Sequence, residues 1–126
     1  MTFRKVLGVL MIASLAIGFL QSCKNKEPSA IKIFVRSESN ELVEGAKVVI
    51  IGDIDSNPET LPYVDTLLTN ASGFATFNMK AYYDEAGEDR EISYFDIVAK
   101  HSTKVANGYI RSRVHTTAVE TVYLQN

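Results

Sequence analysis

His101 and His115 are the only imidazoles in the chain, so acyl-transfer chemistry would have to use one of them. A triad needs a nucleophile, a histidine base and an orienting acid. Neither histidine lies in a nucleophile motif, and no Gly-x-Ser-x-Gly elbow occurs. His101 reads as a loop residue and His115 as a surface residue at a strand end. No catalytic residue is expected. Asp53-Ile54-Asp55-Ser56-Asn57 opens like a calcium loop. Pro58 then replaces the glycine of the sharp turn, and Val64 stands where a bidentate glutamate belongs. No metal site is expected there. Arg111 and Arg113 share one strand face by their i, i+2 spacing, and read as a solvated face that also discourages aggregation. There is no P-loop and no Gly-x-Gly-x-x-Gly, hence no phosphate cradle. Tyr63, Tyr82 and Tyr83 look exposed. They read either as a surface for sugar or peptide, or as the rim of a core with hydroxyls in water. No cofactor is expected.

These residues sit on a short chain. Of 126 residues, 1–22 read as an export signal, leaving 126 − 22 = 104. Arg4 and Lys5 leave with the signal, so the net charge falls from −2 to 11 − 15 = −4. An acidic balance argues against nucleic acid, whose partners cluster Lys and Arg. About a hundred residues bury one core, which excludes a barrel or a two-half dinucleotide fold. Val6 to Leu20 is an uncharged apolar run. As a helix it would span about 22 Å, short for a bilayer core of about 30 Å and suited to a cleavable signal. The run closes on Leu20-Gln21-Ser22-Cys23. This resembles the lipobox of bacterial lipoproteins, although Gln21 holds a position where a small residue is more usual. The resemblance implies cleavage after Ser22 and lipidation of Cys23. Cys23 is the only cysteine, so no disulfide forms within the chain. Two or three acyl chains anchor stably where one does not. Lys24 follows the cysteine in place of an aspartate, and the resemblance then implies the outer membrane. Residues 23–29 read as lipidated cysteine plus a polar tether ending in Pro28-Ser29.

From Ala30 to Asn126 the pattern is all-β, with short alternating runs between turn clusters. Ile31, Ile33 and Val35 share one face. Ala46 to Ile51 is apolar on both faces near its end, the mark of a central strand. Asp65–Thr69, Phe74–Met79, Tyr94–Lys100, Tyr109–His115 and Val119–Leu124 complete seven strands. Ala75, Phe77 and Met79 form one core face. Gly52–Val64 and Asp84–Glu91 are expected loops. Asn107-Gly108 reads either as a tight hairpin turn or as the approach to the next strand. Seven short strands suit a two-sheet sandwich, prealbumin-like or immunoglobulin-like, preceded by a signal-peptide helix.

One constellation is more specific. Val43-Glu44-Gly45-Ala46-Lys47-Val48-Val49-Ile50 is followed by Asp65-Thr66, then by Thr69-Asn70-Ala71-Ser72-Gly73-Phe74-Ala75-Thr76-Phe77. With the closing Val122-Tyr123-Leu124, this resembles the carboxypeptidase regulatory-like domain, a seven-stranded sandwich of the prealbumin type. Gly45 suits a turn of positive φ, Ala46 close sheet packing, Gly73 a hairpin turn and Phe77 the core. Hydroxyisourate hydrolases of the same fold end in Tyr-Arg-Gly-Ser. Here the residues are Tyr123-Leu124-Gln125-Asn126, so the resemblance does not carry that activity.

The sequence therefore leads to a non-enzymatic, lipid-anchored envelope module with a binding or scaffolding role. Its partners would be the membrane, through the anchor, and an envelope protein or glycan. The competing expectation is a subunit of an adhesin or nutrient-uptake assembly that works by sheet-edge strand addition.

Overall fold

The computed structural model describes residues 27–126. The expected export signal, Cys23 and the first part of the expected tether lie outside the described residues. Seven strands follow in order: β1 (Ala30–Arg36), β2 (Lys47–Gly52), β3 (Val64–Leu68), β4 (Phe74–Asn78), β5 (Ile92–His101), β6 (Lys104–Arg113) and β7 (Thr117–Tyr123), with one short helix, α1 (Lys80–Ala86), between β4 and β5. They form a sandwich of a three-stranded sheet, β4-β1-β7, and a four-stranded sheet, β3-β2-β5-β6. All pairings are antiparallel except β1 with β7.

The period of two builds the core. Ile31, Ile33 and Val35 of β1 face Val48 and Ile50 of β2, Phe77 of β4, Phe95 and Ile97 of β5 and Val122 of β7, all within one buried cluster. Ala75, Phe77 and Met79 point inward together, as their spacing predicts. Two turns hold the β2–β4 region in place. Thr69 is buried; its hydroxyl donates to Val43 O and accepts Ala46 N–H, at 2.7 and 2.9 Å. Asn70 Oδ1 accepts the N–H groups of Ser72 and Phe74, closing the turn into β4. Gly73 in that turn has φ +77°, and a Cβ there would lie 2.7 Å from Leu42 Cβ. Gly45 also has positive φ.

Four local expectations change. Residues 80–86, at the front of the expected acidic loop, are helical. Tyr82 and Tyr83 on that helix are 2% and 7% exposed, so of their two readings the core one holds, with the hydroxyls buried and not in water. Their hydroxyls explain two serines in the interior. Tyr82 shares a hydrogen bond with Ser93 Oγ and accepts Leu61 N–H, while Tyr83 donates to Ser112 Oγ. Ser93 and Ser112 are opposed partners on β5 and β6, and each would be a costly orphan without its tyrosine. Burial raises the Tyr83 hydroxyl above its ordinary pKa.

Asn107-Gly108 is neither a turn nor an approach. It lies inside β6, opposite Val98 and Ile97. The reversal comes earlier, at Ser102 with φ 58°. Gly108 is needed for space, since a Cβ would sit 2.6 Å from Val122 Cγ1 of the facing sheet. β6 consequently ends at Arg113, and His115 lies in the following turn with φ 60°. Finally, Ser29 is not free tether. It is buried, its carbonyl accepts Met79 N–H and its hydroxyl accepts His115 N–H.

Candidate binding surface

The residues first weighed for chemistry are dispersed. His101 is exposed at the end of β5, and His115 Nδ1 lies 3.0 Å from Glu27 O. Arg111 and Arg113 are exposed on one face of β6, as their spacing predicts. Asp53 is engaged within the chain. Its Oδ1 accepts Asp55 N–H at 3.1 Å, and its Oδ2 accepts the Tyr109 hydroxyl at 2.6 Å. That hydrogen bond is the main reason the Tyr109 phenol is pushed up to about 12. Ser56 and buried Thr60 fasten the rest of the loop, Thr60 Oγ1 accepting Tyr94 N–H. Among the described residues no group of three or more His, Cys, Asp or Glu is arranged to hold a metal ion.

An open groove of about 1050 Å³ runs past Glu27, Ser29, Lys80, Asp84, Arg90 and His115, at the end where the chain leaves toward Cys23. Its charges are mixed. Lys80 and Asp84 pair with each other across one turn of α1. Nothing in it selects a ligand.

The outward face of the four-stranded sheet is more informative. An antiparallel sheet with one face on the core normally turns a polar face to water. Here β2 turns out Lys47, Val49 and Ile51, and β5 turns out Asp96, Val98 and Lys100. The register places these side chains in rows across the sheet. Val49 stands beside Val98, Ile51 beside Asp96 and Lys47 beside Lys100. β3 extends the rows with Val64 beside Ile51 and Leu68 beside Lys47. Val64 and Leu68 are 66% and 65% exposed. A shallow, almost wholly apolar trough of about 230 Å³ lies between the two lysines, floored by Val49, Ile51 and Val98. The sequence signal for it was the run Val48-Val49-Ile50-Ile51, apolar on both faces. That run does mark a strand central in its sheet, but among the described residues no second layer covers its outer side.

β3 also leaves a sheet edge open. Gly52 N–H donates to Tyr63 O, and Thr69 N–H donates to Ala46 O. With the β2–β3 register, these bonds direct the backbone groups of residues 63, 65, 67 and 69 toward β2. The N–H and C=O groups of Val64, Thr66 and Leu68 therefore point away from the sheet. One is covered locally, because Asp65 Oδ1 accepts Thr66 N–H at 2.8 Å. A charged side chain at an edge is a common guard against unwanted pairing. Burial first, and the Asp65 carboxylate second, hold the neighbouring Tyr63 phenol above its ordinary pKa.

No family model matches this chain, and no curated protein matches it. Among solved structures it is similar to "The Bacillus anthracis TIE protein", with a TM-score of 0.51 and 15% identity over 79% of this chain. The match covers 17% of that protein's chain, so the present chain spans about a sixth of it. A likeness at that identity concerns the fold alone, and it agrees with the β-sandwich.

Proposed function

We propose that this chain is a non-enzymatic, lipid-anchored β-sandwich module of the bacterial cell envelope that holds a partner on the outward face of its four-stranded sheet. The anchor is Cys23, following Leu20-Gln21-Ser22, and Lys24 favours the outer membrane. The observation that carries the binding role is the apolar trough of Val49, Ile51 and Val98, with Val64 and Leu68 beyond it. A contiguous apolar patch on a solvated sheet face is unfavourable unless something covers it. The carboxypeptidase regulatory-like resemblance supports the same role, since such domains serve mostly as accessory modules.

A second reading, a subunit of an adhesin or uptake assembly, draws on the open edge of β3. The outward backbone groups of Val64, Thr66 and Leu68 offer an added strand its hydrogen bonds. The incoming strand would have to displace the Asp65 carboxylate from Thr66 N–H.

Two measurements test the proposal. Metabolic labelling with a fatty-acid analogue is expected to mark the wild-type protein and not Cys23→Ala, which should also leave the membrane fraction. Among the described residues no helix is long and apolar enough to cross a membrane. Label retained on the alanine variant contradicts the anchor. For the surface, a photo-crosslinking amino acid at position 49 is expected to give adducts in intact cells. The same probe at Thr76, on the outward face of the other sheet, should give none. Absence of adducts at 49 rejects the face as a binding surface.

A further inference from the structure

Resting on that reading of the outward face, we infer that its occupant is a second copy of this chain, stacked face to face about a two-fold axis that lies along the row of Val49 and Val98. The pattern of side chains carries this. A two-fold axis in the plane between two stacked sheets, perpendicular to their strands, keeps each strand over its own mate and exchanges the rows on either side of the axis. The row before the axis holds Leu68, Lys47, Lys100 and Val105 across the four strands; the row after it holds Val64, Ile51, Asp96 and Tyr109.

Exchange then sets Leu68 on Val64 of the second copy, and Lys100 on Asp96 of the second copy. Val105 meets Tyr109, and the aliphatic stem of Lys47 covers Ile51. On the axis row Val49 and Val98 meet their own counterparts. Leu68, Val64, Val105 and Tyr109 find apolar partners, Ile51 finds the stem of Lys47, Thr66 and Asn107 on the axis row meet their own counterparts, and Asp96 finds Lys100, twice over. A heterologous partner would have no reason to be mirrored in the order of these rows.

The charges are available for this. Among the described residues the one ion pair is Lys80 with Asp84, so Lys100 and Asp96 have no ionic partner within their own fold. They stand four residues apart on β5, about 13 Å, too far to pair with each other. The two-fold operation brings each within reach of the other's counterpart. Arg111 and Arg113 lie beyond the exchanged rows and do not oppose the contact.

The area sets the strength. Four strands spaced about 4.8 Å and three rows spaced about 6.8 Å make a patch roughly 20 Å on a side. That is about 400 Å² on each copy, below the size of stable specific interfaces, which places the contact among weak, concentration-dependent ones. Anchoring both copies in one membrane raises their effective concentration.

The test uses the full-length protein in its own membrane. A single cysteine is placed at Val49 and treated with a thiol-to-thiol linker whose span matches the about 10 Å between stacked sheets. The expected product is a dimer from Val49→Cys, with little or none from Thr76→Cys or from the wild type, whose only thiol position is Cys23. Charge exchange then reads the geometry. In the Val49→Cys background, Lys100→Glu is expected to lower the yield about tenfold by setting two like-charge contacts across the axis. Adding Asp96→Lys to it should restore the yield, because the pairs re-form with signs reversed. Both positions are exposed, so the variants keep the fold. Equal dimer from Thr76→Cys, or a yield unmoved by Lys100→Glu, overturns the second copy as occupant. Position 49 joined only to a protein of another mass also overturns it, while leaving the binding surface itself standing. No adduct of any kind at 49 removes both.

Discussion

Phe77→Ala is expected to lower the stability of the folded domain by about 3–5 kcal/mol, the range for truncating a buried phenylalanine. Phe77 is 0% exposed and sits on β4 opposite Ile31 of β1, at the centre of the only core cluster among the described residues. Its removal costs the transfer energy of the ring and leaves a void that the flanking strands cannot close without breaking their ladders. For a domain of about a hundred residues, total stability is about 5–15 kcal/mol, so this single change removes a large part of it. Urea unfolding of residues 24–126 measures the effect through the midpoint at unchanged slope. Thr76→Ala, one position away and pointing to solvent, serves as the control and should shift stability by less than about 0.5 kcal/mol. A loss below about 1 kcal/mol for Phe77→Ala means that β4 faces the other way.

Gly73→Val should be as damaging for a different reason. At φ +77° a β-branched residue is strained by about 1–3 kcal/mol. The added Cβ also meets Leu42 Cβ at 2.7 Å and Val43 N at 3.2 Å. The second contact is backbone, held by Val43 N–H donating to Val35 O, so it yields only if that connection moves. Strain and overpacking together come to about 3–5 kcal/mol. Gly87 separates the two causes. It has φ +91° with nothing within 4 Å of a built Cβ. Gly87→Ala should therefore cost only the conformational part, about 1–3 kcal/mol at φ 91° and ψ 168°, and Gly73→Ala its own backbone strain plus the contacts with Leu42 and Val43. Equal midpoints for the two alanine variants would show that the Leu42 contact relaxes freely.

The alternation of Ile31, Ile33 and Val35, of Ala75, Phe77 and Met79, and of Phe95, Ile97 and Ala99 was legible as three core faces because strand side chains repeat every two residues, whatever lies across from them. The turn at Asn70–Gly73 was legible for a similarly local reason, since an Asn side chain closing on its own backbone and a glycine at positive φ need no distant partner. Tyr82 and Tyr83 failed that test. Seven residues of helix have no sustained period, and what docks them is Ser93 and Ser112, eleven and twenty-nine residues further on. Asn107-Gly108 carries the dipeptide of a tight turn but continues a strand, because Val122 of the opposite sheet occupies the space that a side chain at 108 would need.

The outward face shows the same division. The alternation along Ala46–Ile51 made Val49 and Ile51 legible as apolar on the face opposite Val48 and Ile50, the mark of a central strand. Whether a layer exists depends on how strands from distant parts of the chain are ordered. Here β4, β1 and β7 all pack on the other side, leaving Lys47, Val49, Ile51, Asp96, Val98 and Lys100 side by side and uncovered. Local sequence determines which way each side chain points along its own strand. Only the assembled sheets decide what that side chain meets, because register and layer order are set by contacts between residues far apart in the chain.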